Sequence, residues 1–578
     1  MVIDKKSIIV SSVMSVIALV LLTGAFYGSH TLLLNCLKIL FLLIFPVLSV
    51  VSPWYRRKIQ KCSDCLCNLP GIIRSKRDEF IKAAVYVGVS VLLAWICSTG
   101  ISAFVTHRAN NFILFNVCLA LWLLVSVILF FRKELFEKMH VIVFCIIMIA
   151  GGCYINICST EPLMGNDETT HYRNVVLFLD AISGEGNKAD EAVIDAFYNH
   201  TGDYFSEEAR IENDQKYNEL YEVKGENAQV HGKYFELTRA YCYVPYIAGT
   251  VVGRALHLPY TVTHDLAFYT NLTFYAAMIS AAIKRIRSSK VIMACLATCG
   301  LLIFEAASCQ YDPFIMGTTL LAFALFLQAC EEKKMTNERM IGIILLMLLG
   351  INIKPVYFPI MLPFLFAPKD IFESEKQRKI FNLLTIAAMV LLAFTIFAPA
   401  LTGGLGMGDT RGGPGVNATE QVKYILTHPF DYAKVFLKTT FYSLFPFQFA
   451  CMYLFHYGSI GVGSLNPFAL FPFIGGLLFS GENEYVTKKY KYVSWFAWFL
   501  CILLSVTALY VAFNSVGAGD VNGMQYRYML PALFVLFAAV PRGWKKVRKY
   551  GGLYAAVYAA LMAANLIVTA GQYYYVMF

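Results

Sequence analysis

The chain has 578 residues, 58% of them hydrophobic and 15% charged. Soluble domains carry about half apolar and about a quarter charged residues, so this composition excludes a soluble globular protein and asks for lipid as solvent. Net charge is +10, but the excess falls in short loops between apolar runs, where it sets membrane orientation. No loop interleaves basic and aromatic residues as a nucleic-acid module does, so no nucleic-acid partner is expected.

Most of the 16 cysteines lie inside apolar runs (Cys97, Cys118, Cys145, Cys295, Cys501), where they act as small hydrophobes. Cys62, Cys65 and Cys67 cluster in a polar stretch but lack a fourth zinc ligand nearby, and read as reduced thiols near the membrane. Asn199-His200-Thr201 and Asn417-Ala418-Thr419 match the short glycan-acceptor pattern. The glycine-rich stretch 402–415 lacks the strand, Lys and Ser/Thr context of a phosphate loop.

Basic loops order the spans. Lys5 and Lys6 place the N-terminus inside, and the first apolar run, from about Ile8, reads as a span rather than a cleaved signal because Gly28-Ser29-His30 is a poor cleavage site. Spans at about 8–28, 31–52, 83–105 and 112–131 follow, with Arg56 to Lys82 and Arg132 to Lys138 inside. A fifth span, about 140–158, then delivers Asn166-Asp167-Glu168-Thr169-Thr170-His171 to the outer face. The polar region 160–263 is expected to be an external loop with short helices, ending in an interfacial or re-entrant helix from Tyr241 to Pro259. Beyond it, spans are expected at about 264–283, 291–307 and 314–330. Met340 to Ala367 begins and ends beside basic residues, and Ile353-Lys354-Pro355 in its middle predicts a hairpin of two short helices. A span at about 380–400, an external or re-entrant region over 402–465, and spans at about 466–480, 493–513, 529–541 and 552–571 complete the chain. The fold class is an all-α integral membrane protein, a polytopic bundle of about 13–15 spans.

Four polar groups return to the outer side in this topology. Asp167 and His171 are four apart and share a helix face, with Glu168 beside them; carboxylate plus imidazole can deprotonate an acceptor hydroxyl or hold a divalent cation such as Mg or Mn. The same residues also suit a solvated helix start. Gln310, Tyr311 and Asp312 precede Pro313, where Asp312 equally suits a helix N-cap. Lys354 lies within an apolar run, where a charge costs about 2.5–3.5 kcal/mol and needs a partner or a task; a lipid-linked phosphate would be one, and snorkelling is the alternative. Gln525, Tyr526, Arg527 and Tyr528 end a span; Arg suits bidentate phosphate recognition, and an interfacial anchor is the competing account. Arg173, Arg254 and His257 are secondary candidates.

The set Asn166-Asp167-Glu168-Thr169-Thr170-His171-Tyr172, Gln310-Tyr311-Asp312, Ile353-Lys354-Pro355-Val356-Tyr357 and Gly523-Met524-Gln525-Tyr526-Arg527-Tyr528 resembles an uncharacterised family of bacterial multi-span proteins, domain of unknown function 2142, which is grouped with the GT-C glycosyltransferases. The likeness runs from about His140 to the C-terminus; residues 1–139 look like an added four-span module and 140–578 like a GT-C-like catalytic module. Tyr526 stands where the Gly of Gln-Gly-Arg would be expected, and no Pro stands beside Asp167. The resemblance implies a GT-C-type glycosyltransferase of the bacterial cytoplasmic membrane. It would move a sugar from a polyprenyl-phosphate donor to an envelope glycan acceptor at the outer face. On that reading Asp167 is the catalytic acidic residue, the base toward the acceptor, with Glu168 and His171 beside it. Lys354, Arg527 and Gln525 take the donor phosphate, and Asp312, Tyr311, Arg173 and Tyr528 line the pocket. A transporter or flippase of lipid-linked saccharides, a glycan polymerase and a non-catalytic assembly factor are the rivals.

Overall fold

The computed structural model describes residues 5–26, 31–106, 112–158, 167–184, 186–199, 207–222, 240–401, 413, 415–441, 470–480, 485–523, 526–540 and 548–575. The α-helices, labelled in chain order, are α1 (Lys5–Ala25), α2 (Leu32–Val51), α3 (Pro53–Cys67), α4 (Leu69–Ser75), α5 (Arg77–Ile101), α6 (Phe112–Phe130), α7 (Met139–Cys158), α8 (Glu168–Ser183), α9 (Lys188–Asn199), α10 (Glu207–Glu222), α11 (Val244–Ala255) and α12 (Tyr260–Arg285). They continue as α13 (Lys290–Ala297), α14 (Gly300–Ala306), α15 (Asp312–Glu332), α16 (Asn337–Ile351), α17 (Glu375–Leu401), α18 (Ala418–Thr427), α19 (Pro429–Thr439), α20 (Leu470–Phe479), α21 (Lys488–Phe513), α22 (Leu530–Ala538) and α23 (Gly551–Tyr575). Among the described residues there is no sheet, only an isolated bridge between Val416 and Ser515. The protein is an all-α, multi-span membrane protein.

Nine helices among the described residues are long and apolar enough to cross a membrane: α2, α5, α6, α7, α12, α15, α17, α21 and α23. The rest of the expected 13–15 spans are shorter pieces. The segment 291–307, expected as one span, instead breaks into α13 and α14. The Tyr275 hydroxyl donates to the Ala297 carbonyl at 2.7 Å, taking an acceptor that continued helix would use, and Cys299 turns extended. α22, with 9 residues, is also too short to cross alone.

Burial ranks the helices. In α15, 83% of the apolar window lies inside the protein, against 11% for α2 and α5. α15 is therefore the central helix, packed on α12 and α16, while α2 and α5 turn aliphatic faces outward as lipid requires. α7 packs on α12 and α23; α6 packs on α7 and α23, α1 packs on α11, and α5 packs on α6.

The expected hairpin is present. α16 rises to Ile351, residues 352–354 turn, and a 3-10 helix of 12 residues, Pro355–Phe366, returns. Phe364 reaches Phe323 and Phe326 on α15, and the Met335 N–H donates to the Ile371 carbonyl at 2.7 Å, which closes the base. Pro355, Pro359 and Pro363 each lack the N–H of an α-helical ladder. The 3-10 rise of about 2 Å per residue carries 12 residues over about 24 Å, which matches the 15-residue α16.

One end of the bundle gathers the basic loops. Arg57 pairs with Glu338, Lys290 reaches the Phe136 carbonyl, the Arg287 N–H donates to Glu331, and Lys333 pairs with Asp370. The hairpin turn and the N-terminus of α8 lie at the other end. The polar region after α7 carries short helices, α8, α9 and α10, and α11 has 12 residues, too few to cross. Residues 161–166, most of the region 402–465 and Gln525 lie outside the described residues.

Candidate functional site

Arg527 organises the site. It lies on a 3-10 turn, Tyr526–Met529, just before α22, and its side chain is 3% exposed. One guanidinium nitrogen meets Asp167 Oδ2 at 2.8 Å. The other meets Glu305 Oε1 at 3.1 Å and Asp312 Oδ2 at 3.5 Å. Lys354 at the hairpin apex donates to Asp312 Oδ1 at 2.5 Å. Its ammonium sits 4.8 Å from the Tyr311 ring centroid and 4.7 Å from that of Tyr528. Two cations thus hold three carboxylates drawn from α14, α15 and the start of α8. In a low-dielectric interior such charges persist only when paired this way.

Local chain geometry sets each part. Asp167 precedes α8 with φ 60 and ψ 11, a left-handed conformation that costs a residue with a Cβ roughly 1 kcal/mol. Asp tolerates it better than most. Its carboxylate is the accessible member of the cluster, 36% exposed. Glu168, next in sequence, is buried and accepts the Cys309 N–H at 2.7 Å. That bond fixes the corner between α14 and α15 onto α8. Asn271 closes the same corner by donating to the Ala306 and Ser308 carbonyls.

Asp167 and His171 are one turn apart, but they face different partners. His171 Nδ1 lies 2.7 Å from the Tyr243 hydroxyl, and its ring packs edge-on against Tyr311 at 4.4 Å. Among the described residues no three His, Cys, Asp or Glu side chains are grouped to hold a metal ion, so a cation that Asp167 and His171 could hold would find no third such ligand among them. Tyr311, Asp312, Lys354, Arg527 and Tyr528 all come together. Lys354 is not a charge left in mid-span: the hairpin carries it to the end of the bundle. Arg173 is half-buried on α8.

Arg254 and His257 are elsewhere. Arg254 pairs with Asp190 at 3.2 Å, beside Tyr172, whose hydroxyl donates to the same carboxylate. His257 is exposed, with φ 51, where α11 ends. Sequence reasoning missed Glu305 and Tyr243. Glu305 is an acid inside the apolar run Gly300–Ala306, a signal of the same kind that singled out Lys354.

The model of the family described as predicted membrane protein (DUF2142) matches residues 153–536. The chain belongs to this family. The match starts within α7 and ends within α22, so it contains every residue of the ion cluster and leaves α1 to α6 outside. No curated protein and no solved structure matches the chain. The DUF2142 description states membrane residence and no activity.

Proposed function

We propose that the protein is a GT-C-type glycosyltransferase of the bacterial cytoplasmic membrane. It takes a sugar from a polyprenyl-phosphate donor and passes it to a hydroxyl of an envelope glycan at the outer face. One observation carries this reading: an accessible carboxylate, Asp167, and an aromatic-flanked cation, Lys354, stand in one ion cluster at the end of the bundle opposite the basic loops.

The chemistry follows from those groups. The acceptor oxygen attacks the anomeric carbon, the bond from that carbon to the phosphate oxygen breaks, and the electron pair leaves with the polyprenyl phosphate. Asp167 takes the acceptor's proton. Lys354, 15% exposed, meets the developing phosphate charge, with Asp312 and the two tyrosine rings holding its position. Arg527 is too buried to meet a donor directly; it aims Asp167. Glu168 and His171 brace the same corner.

The test is sugar transfer from a radiolabelled polyprenyl-phosphate donor by the purified protein in liposomes, alongside mass spectrometry of lipid extracts from a deletion strain. Asp167→Asn keeps the shape and tolerates the left-handed backbone, so it should fold normally and lose transfer about 100-fold or more. Lys354→Met should raise the donor KM. Wild-type transfer in Asp167→Asn would remove the base, and a lipid moved across the bilayer without chemical change would replace the enzyme with a flippase.

A further inference from the structure

At the opposite end of the bundle a second charged site stands apart from the ion cluster. α3 is a polar helix that follows α2 after Ser52 alone. Ile59 buries against the helices beneath, and Arg56 donates to the Ser49 carbonyl, which fixes the helix across the end of α2. Arg57, Lys61 and Asp64 recur at helical spacing and turn one face of α3 toward the first turn of α16. Between the two helices lies a cleft of about 530 Å³, lined by Arg57, Lys58, Gln60, Lys61, Asp64 and Glu338.

We propose that this cleft binds the headgroup of an anionic phospholipid from the leaflet on the basic side of the membrane. The cleft is far larger than a bare phosphate needs and lies within the range of ligand sites. Its three basic side chains outnumber its two acidic ones, and an Arg fork beside two lysines suits a phosphodiester. α2, which leads into α3 through Ser52 alone, leaves Leu42, Leu43 and Val47 exposed along its length, apolar surface for the acyl chains. That continuity of charged cleft and greasy wall selects a lipid over a soluble phosphate.

Glu338 gives the site a built-in competitor. It pairs with Arg57, and both side chains are more than half exposed, 52% and 65%. Exposed ion pairs hold weakly, so a phosphodiester displaces the carboxylate from Arg57. Glu338 lies in the first turn of α16, whose other end leads to Lys354.

Native mass spectrometry of the full chain, exchanged into phosphatidylglycerol or phosphatidylcholine, tests the proposal. The wild type should retain phosphatidylglycerol selectively. Removing Arg57, Lys58 and Lys61 together as alanines should weaken retention by roughly fivefold per residue. Glu338→Gln should strengthen it, a gain that a merely structural ion pair would not give. Unchanged retention in the triple variant overturns the site. Equal loss on replacing Lys376 and Lys379, exposed basic residues of the same end, reduces it to general surface charge and also overturns it. Displacement by free glycerol phosphate as effective as that by lipid overturns the commitment to a lipid.

Discussion

Arg527 is the residue on which the site's electrostatics turn. Its single guanidinium answers Asp167, Glu305 and Asp312. Deleting the cation leaves carboxylates buried without their partner, whereas deleting one acid leaves Arg527 two others. Breaking a buried pair costs about 3–5 kcal/mol. Arg527→Met should therefore lower stability by about that amount, and Glu305→Gln by clearly less. Thermal melting in detergent reads both, and a wild-type melting temperature for Arg527→Met would show that the cluster contributes nothing to the fold. Asp180, on α8, makes a different prediction. Its buried carboxyl is pushed up to about 7, first by burial and then by Asp190, with Arg254 opposing. In the unfolded chain the group titrates near its ordinary value of about 3.9. Between those values the folded form keeps a proton that the unfolded form has lost. The stabilisation is full below about pH 4 and disappears as pH rises through 7. Melting temperature should fall from pH 5 to 8, and Asp180→Asn should flatten that slope; an unaltered slope would assign the pH dependence to another group.

At the scale of elements, two devices place the site: the hairpin and the close pairing of α11 with α12. A Cβ on Gly249 would stand 2.6 Å from the Ala267 Cα and from the Leu266 carbonyl oxygen, both backbone atoms. One turn later, Gly253 lies equally close under Thr263. The spacing is the small-xxx-small pattern that lets membrane helices approach closely. Gly249→Leu should push α11 off α12 and cost about 1–3 kcal/mol; a disulfide-trapping assay across the two helices should lose efficiency, and unchanged trapping would show that the contact has slack. Long helices such as α7, α15 and α21 were legible in the sequence because about 20 apolar residues between charged loops leave no other arrangement. The hairpin was legible from a lysine and a proline between two basic loops. The break between α13 and α14 was not, because its cause is a tyrosine hydroxyl from α12, remote in sequence. Of the ion cluster, the sequence showed the exposed ends of spans but hid Glu305, which looks like one polar letter in an apolar helix. Nor did it show that Glu168 accepts the Cys309 N–H, a contact made across remote sequence.

Over the whole molecule the inter-helix basic residues and the ion cluster stand at opposite ends. Arg57, Lys290, Lys333 and Lys376 belong to loops of one end, and the cluster of Asp167, Lys354 and Arg527 to the other. Positively charged loops tend to stay on the cytoplasmic side, and the proposed function requires the ion cluster to lie on the outer side. Native thiols report that orientation. Cys65 and Cys67 are exposed on α3 at the basic end, while exposed Cys36 lies within the apolar α2 and should face lipid. A membrane-impermeant maleimide on intact cells should spare Cys65 and Cys67 until the membrane is permeabilised. Asn522 is exposed on the loop that precedes Arg527, and Asn522→Cys should react from outside at once. Each thiol is resolved by peptide mass spectrometry. The reversed pattern would place the ion cluster in the cytoplasm, beyond reach of a donor presented at the outer leaflet. It would also put the basic cleft on α3 against the outer leaflet.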